Sequence, residues 1–210
     1  MRYKRLFILG ASDFGRDLES FLDAMPIKKQ DWRIEGFLDD NLKALDGYPS
    51  DYRILATIKE FRFKKGDVAL IGISDPETKR ALYDHLKDKV KFLTYVAPDV
   101  FIGKFATIGE GAVICPGAVI GTSVEIGRAV TINGGTKLGH DVRIGDYSSL
   151  MVDITIGGHS EIGKGVYVGS GVTIIPSRKI RDRARVGAGS VVIRNVEEGR
   201  SVFGNPATPI

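Results

Sequence analysis

The 210-residue sequence is poor in cysteine, in histidine and in long apolar segments. Its single cysteine, Cys115, excludes an intrachain disulfide framework and suits a reducing cytoplasm. The apolar stretch at residues 6–9 is too short for the core of a signal peptide. No apolar run approaches the roughly 20 residues that a membrane-spanning helix requires. We therefore expect a cytoplasmic protein that does not associate with a membrane.

What the sequence has in abundance is a repeat of six residues. It runs from residue 96 to residue 191 in sixteen units without an insertion. The first position of every unit is aliphatic: Val96, Ile102, Ile108, Ile114, Ile120, Ile126, Ile132, Leu138, Ile144, Leu150, Ile156, Ile162, Val168, Ile174, Ile180 and Val186. Neither a helical period of about 3.6 residues nor simple alternation produces a strict period of six. Such a period indicates a solenoid, in which each unit is buried by stacking on its neighbours.

A three-sided coil accounts for each position of the repeat. The aliphatic residue points into a narrow prism, and the fifth position, which is mostly small or β-branched, lies beside it. Ten of the aliphatic residues are followed directly by glycine, which we expect where the chain turns. Cys115 occupies one of these slots, so we interpret it as a turn residue; the alternative is a reactive thiol. With three units per turn, the repeat predicts a β-helix of about five coils.

Residues 1–95 follow a different pattern, in which short apolar strands alternate with amphipathic helices. The predicted elements are strands at residues 5–9, 32–38 and 67–73, a helix beginning near Phe14, a helix at residues 76–89, and a segment at 92–96 that leads into the solenoid. This alternation predicts a small parallel-sheet α/β domain, similar to half of a Rossmann fold. We place the domain boundary near Ala97-Pro98, which gives domains at residues 1–95 and 96–210.

The turn after the first strand spans residues 10–15 and reads Gly-Ala-Ser-Asp-Phe-Gly. The dinucleotide fingerprint is G-x-G-x-x-G, and Ser12 replaces its second glycine, while Asp39 or Asp40 is placed to bind a ribose. N–H groups at a helix N-terminus favour phosphate oxygens. A domain of about 95 residues is nevertheless too small for the two halves that hold NAD. The turn therefore suits one nucleotide diphosphate, or it binds no ligand, which the carboxylate of Asp13 favours.

Together these features resemble a known family. The uninterrupted repeat is similar to that of the hexapeptide-repeat acyltransferases. With the Gly-Ala-Ser turn, Phe-Leu-Asp-Asp after the second strand, Ile-Gly after the third and the closing residues 202–207, the full length resembles the nucleotide-sugar acetyltransferases of the sialic acid, bacillosamine and perosamine pathways. The resemblance implies a left-handed parallel β-helix and a homotrimer with active sites between subunits. It also implies acetyl-CoA as co-substrate and a UDP- or GDP-linked amino sugar as acceptor, in polysaccharide biosynthesis.

The resemblance assigns ligand-binding positions in both domains. The sugar-nucleotide positions are Ser12, Asp13, Phe14, Asp39, Asp40 and Gly72, and the coenzyme positions are Ser149, Gly158, Ser170 and Ala188. Ser149 stands where some members carry a second histidine that contacts the thioester, so it offers only a hydroxyl. Backbone N–H groups near Gly158 and Ser170 are expected to polarise the thioester carbonyl. Gly139 and residues 151–153 depart from the usual family pattern close to the acyl pocket.

The net charge of +4 is concentrated in the last two coils. The basic cluster comprises Arg178, Lys179, Arg181, Arg183 and Arg185, with Lys164 and Arg194 nearby. It is a solvated coil surface, a site for the phosphates of coenzyme A, or a nucleic-acid site. No aromatic residues interleave it and no nucleic-acid motif accompanies it, so we expect no nucleic-acid partner. Converging lysines and arginines suit a polyanionic coenzyme, for which Arg178 and Arg181 are the candidates.

The catalytic signal is the segment Asn-Gly-Gly-Thr-Lys-Leu-Gly-His-Asp, which ends in His140 and Asp141. These two match the family's general base and the acidic residue that tunes it. An amine that attacks a thioester must lose a proton, and histidine is suited to accept it at neutral pH. His85 is expected at the surface, and His159 is either a turn residue or a ligand contact. Three histidines at zinc spacing are not available from one β-helix, so we expect no metal requirement.

The sequence thus predicts an acetyl-CoA-dependent N-acetyltransferase of a nucleotide-linked amino sugar. One alternative is O-acetylation of a sugar such as sialic acid, with the same base and a hydroxyl nucleophile. Another is a non-catalytic trimeric scaffold for a biosynthetic complex. The pair formed by His140 and Asp141 argues against the scaffold, because a scaffold has no need of a base beside a carboxylate.

Overall fold

The computed structural model describes residues 3–26 and 30–210, which form two compact units. The N-terminal unit comprises Met1–Ser74 and Ala81–Leu93, and the solenoid unit comprises Asp75–Arg80 and Thr94–Ile210. The predicted fold class is confirmed: a small parallel sheet with helices precedes a parallel β-helix. In the described part of the chain, no helix has the length and apolarity needed to cross a membrane.

The N-terminal unit is built on a five-stranded parallel sheet in the order β3-β2-β1-β4-β5. Its elements are β1 Lys4–Leu9, α1 Asp13–Asp23, β2 Trp32–Leu38, β3 Ile54–Ala56, β4 Val68–Ile71, α2 Pro76–Leu86 and β5 Lys91–Phe92. Strand β1 is central, and its four apolar residues are buried, as expected for a strand covered on both faces. Helix α1 buries Phe14, Leu18 and Leu22, which recur on one helical face.

Two strands of this sheet were not predicted. Strand β3 has three residues at the sheet edge, which is too short for a hydrophobic period to show. The segment predicted to lead into the solenoid instead divides in two: β5 joins the N-terminal sheet, and β6, Tyr95–Val96, is the first solenoid strand. The first turn of α2 groups with the solenoid unit and not with the remainder of the helix.

The solenoid has three faces of short parallel strands. Face 1 contains β6, β9 Val113–Ile114, β12 Thr131–Ile132, β15 Ser149–Leu150, β18 Tyr167–Val168, β21 Arg185–Val186 and β23 Ser201–Phe203, with β24 Thr208–Pro209 added antiparallel. Face 2 contains β7 Phe101–Ile102, β10 Val119–Ile120, β13 Lys137–Leu138, β16 Thr155–Ile156, β19 Thr173–Ile174 and β22 Val191–Val192. Face 3 contains β8 Thr107–Ile108, β11 Glu125–Ile126, β14 Arg143–Ile144, β17 Glu161–Ile162 and β20 Lys179–Ile180. Paired residues such as Val119 and Lys137 lie 18 positions apart, so one coil is three hexads.

The aliphatic first positions form the core of the solenoid, as predicted. From Ile114 to Val186 none is more than 4% exposed. Complete burial of one such side chain stabilises the fold by about 1.5–3 kcal/mol. Ile102, in the first coil, is partly exposed because no preceding coil covers it.

The glycines of the repeat lie where we predicted them, but the reason we gave was wrong. Left-handed backbone occurs two residues after them, as at Ser123 (φ 59°) after Gly121 and His159 (φ 58°) after Gly157. The glycines are required because successive coils stack closely. A Cβ on Gly121 would lie 2.7 Å from the carbonyl carbon of Gly139 in the next coil. The repeat glycine therefore permits close approach of backbones, and the turn itself falls on other residues.

Candidate active site

The corner between faces 2 and 3, here called the 2/3 corner, carries the predicted base. Successive coils place Thr122, His140 and Gly158 in one column and Ser123, Asp141, His159 and Ser177 in the next. Backbone hydrogen bonds fix this ladder: Asp141 N–H donates to the Thr122 carbonyl at 2.9 Å, and His159 N–H donates to the His140 carbonyl at 3.0 Å. The backbone that carries the side chains of this corner is therefore held rigidly by hydrogen bonds between coils.

His140 and Asp141 are hydrogen-bonded to each other. Nδ1–H of His140 donates to Oδ2 of Asp141 at 2.8 Å, although the two residues are adjacent in sequence. Left-handed backbone at Asp141 (φ 58°) accompanies this geometry, and aspartate is one of the few residues that tolerate it. In a neutral imidazole a proton on Nδ1 leaves a lone pair on Nε2. The side chains are 62% and 47% exposed, so Nε2 is accessible to a substrate.

Gly158 lies directly beneath the imidazole of His140. A Cβ at this position would approach Nε2 to 2.7 Å and Cε1 to 2.8 Å. Any other residue would therefore displace the ring. The family resemblance predicts a coenzyme contact at Gly158; what the structure shows is that the missing side chain leaves room for the His140 ring.

His159 joins His140 and Asp141 at the same corner. Its Nδ1 lies 3.9 Å from Oδ2 of Asp141, and its ring meets that of His140 edge to face at a centroid distance of 4.8 Å. The 18-residue coil would have predicted this neighbour, since His159 is one coil after Asp141. Metal-ligating atoms of the three side chains all lie within 4.8 Å of one another. By contrast His85 is exposed at the end of α2, as expected.

In the N-terminal unit, Asp39 secures the predicted nucleotide turn. Its Oδ2 accepts a hydrogen bond from Ala11 N–H at 2.8 Å, and its Oδ1 accepts one from Asn41 N–H at 2.8 Å. Gly10 has left-handed backbone (φ 97°), which this bend requires. Asp39 is therefore a structural residue of the turn. Asp40 is exposed, and its Oδ1 accepts from Ile58 N–H at 3.1 Å.

The remaining predicted residues of this turn differ in what they expose. Ser12 is the exposed N-cap of α1, and its side chain makes no capping hydrogen bond. Asp13 points to solvent, with its side chain 96% exposed, and pairs with Arg16 at 3.0 Å. Phe14 is buried in the core, so only its backbone is available to a ligand. The N–H groups of a first helical turn lack intrahelical partners, which leaves them suited to bind an anion.

Gly72 has a packing role in the same turn. A Cβ there would lie 2.8 Å from the Cα of Gly15 and 2.9 Å from the carbonyl oxygen of Gly10. These contacts bring the ends of β1 and β4 against the start of α1. Close helix-to-strand packing is also the part that the last glycine plays in the dinucleotide fingerprint.

The predicted coenzyme residues do not gather at one place in a single chain. Gly158 lies at the 2/3 corner with His140, whereas Ser170 and Ala188 lie exposed on successive coils of the corner between faces 1 and 2. Ser149 is on face 1 and is fully buried, and its hydroxyl accepts a hydrogen bond from Lys79.

The two arginine candidates also separate. Arg178 lies at the 2/3 corner, one coil beyond His159, and its Nε donates to the Pro176 carbonyl at 3.2 Å. Arg181 lies at the corner between faces 3 and 1 and pairs with Glu197 at 3.0 Å. Of the two arginines, only Arg178 lies at the same corner as His140.

Lys79, in the first turn of α2, is a buried residue that our sequence analysis did not identify. It is fully buried, and its Nζ donates to Thr131 Oγ1 at 2.9 Å, Ser149 Oγ at 2.8 Å and the Ser148 carbonyl at 3.1 Å. Burial lowers the pKa of its ammonium group to about 7, although the Asp75 carboxylate acts in the opposite direction. A lysine on an amphipathic helix is ordinarily solvated, so no sequence signal marks this one.

Comparisons with known proteins agree with this architecture. Residues 5–86 match the family described as the PglD N-terminal domain. The chain is similar to the acetyltransferase domain of PglB from Neisseria gonorrhoeae FA1090, with 20% identity over 99% of this chain and 100% of that one and a TM-score of 0.88. The same domain in complex with acetyl coenzyme A matches with a TM-score of 0.87.

A second structure of the same fold is a histidine-to-alanine mutant of GDP-perosamine N-acetyl transferase from Caulobacter crescentus, in complex with CoA and GDP-perosamine. It has 20% identity over 98% of this chain and 96% of that one, with a TM-score of 0.88. WeeI from Acinetobacter baumannii AYE is 23% identical over 99% of this chain and 100% of that one, with a TM-score of 0.57. Comparison with curated proteins finds no match. The resemblance expected from the sequence is thus confirmed at the level of the fold.

Proposed function

Since residues 5–86 match the PglD N-terminal domain family and the chain as a whole has the fold of the matched acetyltransferases, we propose that it is an acetyl-CoA-dependent N-acetyltransferase of a nucleotide-linked amino sugar. The observation that carries the proposal is the hydrogen bond from Nδ1 of His140 to Asp141, which leaves Nε2 as an accessible base. A solvent-facing imidazole oriented by a carboxylate is the arrangement that proton abstraction requires.

The chemistry follows from this geometry. The amine of the sugar attacks the thioester carbonyl, and Nε2 of His140 accepts the proton that the nitrogen loses as the new C–N bond forms. Asp141 stabilises the resulting imidazolium through Nδ1. When the C–S bond breaks, the proton passes to the departing sulfur, so amide and free thiol are the products. The backbone N–H of Gly158, one coil below, is our candidate donor to the oxyanion.

The coenzyme is held, in this proposal, by residues of two subunits. Gly158 and Arg178 lie at the 2/3 corner, whereas Ser170 and Ala188 lie at the corner between faces 1 and 2. Three-fold association brings different corners of neighbouring subunits together, which is our reason for proposing a homotrimer. Ser149 is buried in the single chain, so its proposed contact with coenzyme requires that Lys79 move aside.

The acceptor is bound by the turn at residues 10–15. Its backbone N–H groups suit the pyrophosphate of a UDP- or GDP-linked sugar, and the ion pair with Arg16 offsets the charge of Asp13. The hydroxyl of Ser12, at the N-cap of α1, makes no capping hydrogen bond and can contact the ligand. Asp40 presents an exposed carboxylate to the ribose or the sugar. Because nucleotide-activated sugars supply glycan polymers, we place the reaction in cytoplasmic precursor synthesis for a polysaccharide.

An acceptor panel tests the proposal. Purified protein is incubated with acetyl-CoA and, separately, with UDP- and GDP-linked amino sugars, their hydroxyl counterparts, and free sialic acid. Thiol release together with the mass of the acetylated product should be seen only with an amino sugar. Acetylation of a hydroxyl sugar instead would establish O-acetyl transfer. Absence of turnover with every acceptor, despite coenzyme binding by calorimetry, would favour the trimeric scaffold.

A further inference from the structure

His140, Asp141 and His159 form a cluster that the proposed reaction only partly uses. Oδ2 of Asp141 is the shared centre, 2.8 Å from Nδ1 of His140 and 3.9 Å from Nδ1 of His159. The acyl-transfer scheme gives His159 no part. All three side chains are about half exposed or more, so the cluster is open to ions in solution.

The spacing of these atoms is close to that of a zinc site. Zinc bonds to imidazole nitrogen and carboxylate oxygen are about 2.0–2.2 Å long, so ligand atoms of a tetrahedral site lie roughly 3.3 Å apart. The two distances to Oδ2 fall on either side of this value. The cluster as a whole is wider, with ligand atoms up to 4.8 Å apart, so the two exposed imidazoles must also rotate toward each other to complete the set. Two histidines, one carboxylate and water in the open position form a known type of zinc coordination.

The backbone is suited to hold such a site. Asp141 and His159 occupy the same position of successive coils, with identical left-handed φ of 58°, and His159 N–H donates to the His140 carbonyl. The ligands therefore project from stacked turns of a rigid solenoid, and only side-chain freedom is lost on binding.

We infer that His140, Asp141 and His159 bind one divalent transition-metal ion such as Zn²⁺, and that this ion inhibits the enzyme. The inhibition rests on the proposed function. A neutral imidazole that gives its Nδ1 lone pair to a metal carries its proton on Nε2, and it can then no longer accept one from the amine. The metal also takes the carboxylate of Asp141. The acyl transfer itself requires no metal.

Metal binding is tested without acetyl-CoA or any sugar. Zn²⁺ is titrated into the intact protein by calorimetry, and Co²⁺ is followed by the visible absorption of a tetrahedral centre. We expect one ion per chain, and at least tenfold weaker binding in His159→Asn and in Asp141→Asn. Asparagine tolerates the left-handed backbone of both positions, so both variants should fold. His85→Gln, which removes an exposed histidine of the N-terminal unit, is the matched control and should bind as the unaltered protein does.

Failure of the wild-type protein to bind either ion, or equal affinity in His159→Asn, would overturn the site. Inhibition is measured separately, by the mass of the acetylated product, since zinc also binds free thiols. Zn²⁺ should slow the wild-type reaction and EDTA should restore it, whereas His159→Asn should lose at least tenfold in sensitivity relative to its own metal-free rate. Stoichiometric binding without inhibition would contradict the inhibitory role. If the protein binds metal but acetylates no acceptor, the proposed function is wrong and the proposed metal site is still supported.

Discussion

At the scale of single residues, the candidate site depends on which atoms of His140 are engaged. Asp141 holds Nδ1, so Nε2 is the atom that meets the substrate. We expect His140→Ala to lower kcat by about 10²- to 10⁴-fold with little change in substrate binding, the range for loss of a positioned base. Asp141→Asn should cost less, because it removes the orienting charge and keeps the base. His85→Ala is the control. Near-normal turnover in His140→Ala would transfer the chemistry to another group.

Gly158, which packs against the imidazole of His140, gives a second test at the scale of single residues. Gly158→Ala should place a methyl group 2.7 Å from Nε2 and tilt the ring out of line. Displacement of a catalytic group by about 1 Å can cost on the order of 10²-fold in rate. Gly134→Ala is the matched control, because its Cβ would meet nothing nearer than the Pro116 carbonyl oxygen at 3.3 Å. Equal kcat values for the two variants would show that Gly158 does not position the base.

At the scale of elements, the six-residue repeat predicted those features of the fold that depend on local sequence pattern. The hexad register identified the buried column of the solenoid, because a strict period of six is imposed by stacking alone. Strand β3 was not predicted, because a segment of three residues is too short to show a hydrophobic period. The burial of Lys79 depends on partners 52 to 70 residues away, which no local pattern contains. The position of His159 could have been predicted from the sequence, because the coil length of 18 residues places it beside Asp141.

Lys79 makes the first turn of α2 sensitive to pH. Its pKa is about 7 in the folded protein, against 10.5 ordinarily. Between these values the unfolded chain holds a proton that the folded chain has released, so stability should rise with pH across this window, by up to about 1.4 kcal/mol per unit. Below pH 7 both states are protonated and the burial penalty is complete. Above about 10.5 both are neutral and the penalty is gone.

The measurement compares wild type with Lys79→Met, which keeps the length of the side chain without its charge. Denaturation midpoints at pH 6.5, 8 and 9.5, at one protein concentration, should show wild type gaining on the variant as pH rises. Parallel curves would mean that the three hydrogen bonds keep the ammonium charged throughout.

At the scale of the whole molecule, the three faces of the solenoid differ in what they present outward. On face 1, Val113, Thr131 and Ser149 are buried. Face 3 carries a ladder of opposite charges, in which Arg143 pairs with Glu125 at 3.2 Å. Face 2 begins with apolar residues that remain exposed: Phe101, Ile102 and Val119, with Phe105 at its corner. An exposed apolar patch of this kind marks an interface.

We therefore expect the proposed trimer to use the patch around Phe105, whose side chain is 82% exposed. Light scattering should give roughly three times 22.9 kDa for the wild-type protein. Phe105→Asp should shift the mass toward the monomer, because it introduces a charge that the interface would have to desolvate. The variant should still fold, since aspartate suits the left-handed backbone of that position (φ 66°) better than phenylalanine does. Glu125→Gln, on the charged face 3, should leave the trimer intact. A trimeric Phe105→Asp protein would place the interface elsewhere, and a fully active wild-type monomer would rule out coenzyme sites shared between subunits.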